Sequence, residues 1–400
     1  MTQDGLEGNI VKYNLFKIFT KRVFLPLITI HLTLVGKVTL EQLGIIASVT
    51  ALTQILLEVP TGYLADRWGH KSALVLGSFI TSISVLPYIF MPNFYGGLIA
   101  SVAFFAGASF GSGTMQAFMH ETLIGLGRES EYTKIMAKAQ SYGLLGNVVL
   151  IALIPLTYQI DKNLPFILGF LCAFVTFILA LSLKKPDVKI SEEHIKAGFI
   201  SELKKSLTKP AWIRLILVFM IFGVVSASFD KVITYRELIF QDLGVPIKYF
   251  GFILAFGSLL AALGANYIHL LKKLKPKNFY LFDILYVSIA FILIGVLRNP
   301  ILSILAFSLF PAYDRTRSII FESQIFEEFH NSKYKSTLVS ILNFFAYGNG
   351  IWIPLVLAFG VIRTNIVFGH FIFGVLILAI SIPILMIHNF LQTKNPPAQG

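Results

Sequence analysis

Gly62-Tyr63-Leu64-Ala65-Asp66-Arg67-Trp68-Gly69-His70-Lys71 is a short polar stretch between two long apolar runs, Gly44 to Pro60 and Ser72 to Met91. Gly62 and Gly69 permit a tight turn and close helix contact. Asp66 is an acceptor suited to the positive N-terminus of a neighbouring helix. Arg67 and Lys71 mark a cytoplasmic end, because cytoplasmic loops of membrane proteins carry the Lys and Arg excess. Both flanking runs approach the ~20 residues that a bilayer-spanning helix needs.

The composition outside this stretch agrees. The chain has 400 residues, 56% hydrophobic and 14% charged, with a mean hydropathy of +0.75. A soluble fold has no interior large enough for that apolar surface, so the chain reads as a polytopic protein of the lipid bilayer. In a soluble chain the formal charge of +12 would suggest nucleic acid. Here the basic residues sit in short loops between apolar runs, which points to topology and not to a nucleic-acid partner. The single cysteine, Cys172, lies in an apolar run and excludes an internal disulfide or a cysteine-based zinc cluster. Met1 to Val11 contains Asp4 and Glu7 and has no cleavable leader pattern, so the first span is expected to remain as an anchor.

Twelve spans follow from the apolar runs: 13–35, 42–64, 72–91, 95–121, 134–158, 164–183, 211–235, 249–271, 279–297, 300–325, 336–361 and 365–391. The expected fold is all-α, with twelve transmembrane helices in two pseudo-symmetric six-helix bundles. An even count puts both termini on one side. With that side inside, the inner loops hold Arg67, Lys71, Arg128, Lys134, a lysine-rich segment after Lys184, and four lysines from Lys272 to Lys277. The outer loops hold only Lys37, Lys162, Arg236, Lys248, Arg298 and Arg363. The asymmetry places both termini in the cytoplasm and the protein in the cell membrane.

Lys184 to Pro210 is the longest polar stretch and separates an N-terminal half, 1–183, from a C-terminal half, 211–400. Its Ile195, Phe199, Leu203 and Leu207 recur every four residues, as in a surface helix. The halves repeat in outline. Glu131-Tyr132-Thr133-Lys134 returns as Lys333-Tyr334-Lys335-Ser336, Gly146-Asn147 as Gly348-Asn349, and Gly44 is echoed by Gly251.

Gly62 to Lys71 resembles the G-x-L-A-D-R-x-G-R-K loop of the major facilitator superfamily of secondary transporters, with His70 in place of the usual second Arg. The resemblance implies two six-helix halves rocking about a midplane site. It also implies a gate latch, with Asp66 against the start of span eleven and Arg67 and Lys71 against Glu121 at the end of span four. Glu121 is open to a second reading as a proton carrier. Drug:proton antiporters of the superfamily tend to carry an Arg in span four and a Gly-Pro pattern in span five. Span four here reads Gly111-Ser112-Gly113-Thr114-Met115-Gln116, and Pro155 lies well downstream of Gly143-Leu144-Leu145-Gly146-Asn147, so drug antiport is not implied.

Ionisable groups inside apolar spans are costly, which makes each a candidate site. Span one has Lys21 and Arg22, deeper than the snorkelling Lys17; they face a cavity, or the helix starts later and both are interfacial. Span seven has Asp230 and Lys231, and Asp230 falls almost opposite Arg22 in the repeat, which suggests a breakable Arg22–Asp230 pair. Span ten has Asp314, Arg315 and Arg317. Asp314 and Arg317 can pair at i,i+3, leaving Arg315 to point elsewhere. Glu58, one turn before Gly62, serves coupling or a helix-packing hydrogen bond. Gln140, Asn147, Asn343, Tyr347 and Asn349 bind substrate or link helices. His31, His269, His370 and His388 lie toward span ends and are expected at the interface.

The function expected from these features is secondary active transport of a small solute by alternating access, coupled to protons. No G-x-x-x-x-G-K-[ST] loop offers ATP as the driver. The candidate cations Lys21, Arg22, Lys231, Arg315 and Arg317 outnumber Asp230 and Asp314, a tilt toward an anionic or zwitterionic solute. No enzyme, cofactor or metal site is expected, and the chain is expected to act as a monomer. The alternative is a transporter-like membrane sensor or assembly partner that no longer transports.

Overall fold

The computed structural model describes residues 3–111, 113–186, 209–264, 271, 273–328, 335–361 and 365–394. Every regular element among them is helical. In chain order these are α1 Gln3–Phe19, α2 Ile28–Leu34, α3 Leu40–Trp68, α4 His70–Ile83, α5 Leu86–Phe90, α6 Phe94–Gly111, α7 Thr114–Gly125, α8 Tyr132–Leu153 and α9 Leu164–Ser182. After the linker come α10 Lys209–Asp242, α11 Phe250–Gly264, α12 Pro276–Leu297, α13 Pro300–Glu328, α14 Lys335–Leu355 and α15 Ile366–Lys394. The amphipathic stretch from Ile195 to Leu207, His269, and the Lys333-Tyr334 part of the repeat lie outside the described residues.

Among the described residues the apolar runs lie mainly on helices. Eight of the helical segments are long and apolar enough to cross a membrane. Three shorter apolar segments, Leu25–Leu34, Ile247–Leu263 and Phe344–Gly360, account for spans one, eight and eleven. The remaining one, α13, carries three charges within four residues, Asp314, Arg315 and Arg317. Large apolar side chains such as Leu56, Phe79, Leu171, Phe174 and Ile387 stand exposed on the outer faces. Water would penalise that surface; lipid does not.

Helices α1 to α9 pack mainly with one another, as do α10 to α15; α3 against α14 and α8 against α11 join the two groups. Glycine makes both junctions possible. A Cβ at Gly44 would sit 2.6 Å from Ala358 Cβ and 2.9 Å from the Pro354 carbonyl oxygen. A Cβ at Gly251 would sit 2.4 Å from the Ile151 carbonyl oxygen. Gly251 stands 207 positions after Gly44, and Ala358 stands 207 after Ile151. The two junctions are therefore copies of one contact, which gives the echo between these glycines a structural meaning. Thr29 Oγ1 adds a hydrogen bond of 2.9 Å to the Thr234 carbonyl near the same end, remote from the termini.

Gly44→Leu would wedge this junction apart. The expected result is several-fold faster maleimide labelling of a Thr29→Cys reporter in a Cys172→Ser background, because Thr29 is buried in the closed junction. Unchanged labelling would mean that the contact does not close this end.

Candidate functional site

The first span is not one helix. α1 ends at Phe19, and a 3-10 turn at Leu25–Leu27 leads into α2. Pro26 explains the break: it has no N–H to give to the Arg22 carbonyl, and its ring disfavours helical backbone just before it. Lys21 and Arg22 sit on the non-helical link. Lys21 is exposed and Arg22 half-buried. Irregular backbone at membrane depth is tolerated where it lines a cavity or is covered by protein, and broken helices mark solute sites in transporters.

The link borders a cavity of about 410 Å³ between the two helix groups. Lys17, Lys21 and Arg22 line it from the first span, Gln140 and Asn147 from α8, Arg236 from α10, Ser258 from α11 and Arg315 from α13. The Arg22 guanidinium lies 3.6 Å from the centroid of the Phe104 ring and 4.9 Å from that of Phe105. Those aromatic faces hold the cation by its flat side, and the Tyr88 side chain contacts it as well. Asp230 is exposed and acts on Arg22 electrostatically. Glu58 is exposed too, and lines a second space of about 190 Å³ with Gln54, Phe105 and Tyr347. The side chains of Lys231 and Asn343 lie outside those described.

Arg317 has a different place. It is fully buried, and Nε and Nη2 donate to Asp283 at 2.7 and 2.8 Å. Tyr313 Oη donates to the same carboxylate at 2.8 Å, and Arg317 Nη1 donates to Ser226 at 2.5 Å. Asp314 is 3.6 Å from Arg317, so the i,i+3 pair exists but is secondary to Asp283. Arg317 thus holds α10, α12 and α13 together and is not among the cavity-lining residues. Arg315 points elsewhere, into the cavity. Asp283 was not among the sequence candidates, although a lone carboxylate inside the apolar run 279–297 is the signal that marks it.

The gate stretch also differs from its expected form. α3 runs through Gly62 to Trp68, and the turn is Gly69 alone, with φ +88°. Gly62 is inside the helix, and a Cβ there would meet nothing within 4 Å. The group that reaches Glu121 is His70, at 2.7 Å through Nδ1, with Nε2 3.5 Å from Asp66. Arg67 and Lys71 make no ion pair with Glu121. The Asp66 side chain is 80% exposed, and the side chains at the start of span eleven, its expected partner, lie outside those described. Glu121→Gln is expected to cost about 1 kcal/mol or less, since the pair is partly solvated. The check is a thermal melt, with Lys71→Gln as a silent control.

Two other expectations are corrected. Arg236 is not in an outer loop: α10 continues to Asp242, and Arg236 forms a buried ion pair with Glu237. His31 and His370 are fully buried and His388 nearly so. The ring of His31 meets the Tyr88 carbonyl at 3.0 Å and packs 4.4 Å from Phe166, a helix-packing role.

A bilayer-suited helical pair of bundles around a polar, broken-helix cavity defines a polytopic membrane transporter. A family model described as Major Facilitator Superfamily matches residues 14–313, and the chain belongs to that superfamily. An uncharacterized MFS-type transporter, YxaM of Bacillus subtilis (strain 168), is 25% identical over 343 residues, covering 82% of this chain and 80% of that protein. The nucleoside transporter NupG superposes with a TM-score of 0.76 at 12% identity, over 96% of this chain and 98% of that one. The POT family transporter PepTSo does so with a TM-score of 0.72 at 12% identity, over 99% of both chains. Identities this low establish the shared fold. The chain is an integral, multi-pass membrane protein.

Proposed function

We propose that the chain is a secondary active transporter that moves a small anionic or zwitterionic solute by alternating access, with protons as coupling ion. The rocking bodies would be 1–183 and 211–400, joined by the linker 184–210, with both termini in the cytoplasm. The cavity carries this reading: it lies between the two helix groups, takes residues from both, and is bordered by the break at Lys21 and Arg22. The glycine junctions seal the end away from the termini, while Asp66 and Arg67 are exposed at the other end. That arrangement supports an inward-open state. Glu58, Asp230 and Asp314 are the carboxylates suited to carry a proton, and the D-xylose-proton symporter is a structural neighbour with a TM-score of 0.66.

The test is a thermal-shift panel of solutes against the detergent-purified protein, at acidic and neutral pH. The expected result is a pH-dependent stabilisation by one class of anionic or zwitterionic solute. Stabilisation by neutral lipids alone would overturn the assignment.

A further inference from the structure

The cavity is charged on one side of the ledger only. No Asp or Glu is among its lining residues, whereas five cations are. Arg236 is committed to Glu237. Among the described residues Lys21, Arg22 and Arg315 make no ion pair within 4 Å, although Asp230 partly offsets Arg22 from a distance. These three cations come from opposite bodies. Lys21 and Arg22 belong to the break in the first span, and Arg315 belongs to α13. Lys21 and Arg315 act on each other electrostatically across the open space.

Both side chains are exposed, so water now screens them. Closing the end that carries the termini would remove that water and draw the two bodies together. Like charges repel far more strongly in the drier, lower-dielectric site that results. An anion lodged between Lys21 and Arg315 would reverse the sign of the interaction and offer acceptors to donors from both bodies. A neutral or cationic solute would leave the repulsion in place.

We propose that Lys21 and Arg315 form a charge lock: an anionic solute held between them, with Arg22 beside it, is required for rapid closure of the cavity. This rests on the carrier reading above and narrows it to an anionic group, a carboxylate or phosphate, at the midpoint between the bodies. It also fixes a kinetic order. The loaded carrier closes quickly and the empty one slowly, so exchange of solute outruns net movement even with a proton gradient present.

The experiment places spin labels at Lys138→Cys and Lys277→Cys, two exposed positions on opposite bodies near the termini, in a Cys172→Ser background. Distance distributions are recorded in liposomes without solute and with inorganic phosphate, sulfate, succinate or glucose 6-phosphate. Wild type is expected to be mostly long-distance when empty and to gain a short-distance population with at least one of these anions. Lys21→Gln and Arg315→Gln are expected to raise the closed-to-open ratio of the empty protein about tenfold. Lys21→Glu, which creates an attraction to Arg315, is expected to close it further. Empty Lys21→Gln and Arg315→Gln variants indistinguishable from wild type would overturn the lock. Wild type that stays open with all four anions would overturn the anionic class. If the same protein then moves a neutral solute, the carrier reading survives and this inference alone fails.

Discussion

Arg22→Ala is expected to reach the membrane at the wild-type level, melt within a few degrees of it, and lose transport. Arg22 is held by the two phenylalanine faces, by a side-chain contact with Tyr88 and by the distant charge of Asp230. Losing an aromatic contact of this kind costs ~1 kcal/mol of stability. The loss for a bound anion is greater, because a charge-assisted hydrogen bond is worth ~2 kcal/mol, about thirtyfold in affinity. Arg315→Ala should behave in the same way, since Arg315 lines the cavity and takes no part in the buried network of its own helix. Arg22→Lys should restore part of the activity, because a lysine keeps the charge but not the planar fork. The checks are membrane abundance, melting temperature and uptake measured on one preparation. Full transport by either alanine variant would remove that residue from the solute site.

Arg317→Met and Asp283→Asn are expected to have the opposite signature, with abundance and melting temperature collapsing first. The pair is fully buried. Removing one partner leaves a buried charge without its principal counter-ion, a cost of ~3–5 kcal/mol against a total stability of about 5–15 kcal/mol. Tyr313 and Ser226 would also lose partners. The double variant Arg317→Met/Asp283→Leu should recover most of the lost stability, since apolar replacement of a whole buried pair is often close to neutral. A double-mutant cycle in thermal melts checks this. Additive losses would mean that the two groups do not act as a unit.

Hydropathy made the helical runs and their order legible, because lipid imposes a length on every span. The ten residues from Gly62 to Lys71 made the family legible. The break at Lys21 and Arg22 was harder to read: the run 13–35 holds scattered polar residues from Asn14 to Thr33, and Pro26 is its one helix-breaking residue. The first span is neither unbroken nor late in starting: α1 begins at Gln3, and the interruption falls at Lys21 and Arg22. Asp283 is marked in the sequence only as a lone carboxylate in an apolar run, and its partner, 34 positions away on another helix, is announced by no local spacing. Arg317 looked like a cavity residue for the same reason. In the gate stretch the departure from the family pattern was visible as His70, but the geometry alone showed that this histidine meets Glu121.

Flux of the bound solute tests the central claim most directly. The solute class that stabilises the purified protein is sealed outside proteoliposomes, isotopically labelled, and its entry followed with and without an inward proton gradient. The carrier account predicts entry that saturates, accelerates with the gradient, and is absent from Arg22→Ala liposomes containing equal folded protein. A solute that binds in the cavity, depends on Arg22 for binding and never enters would contradict it, and would identify the chain as a membrane sensor built on a transporter fold.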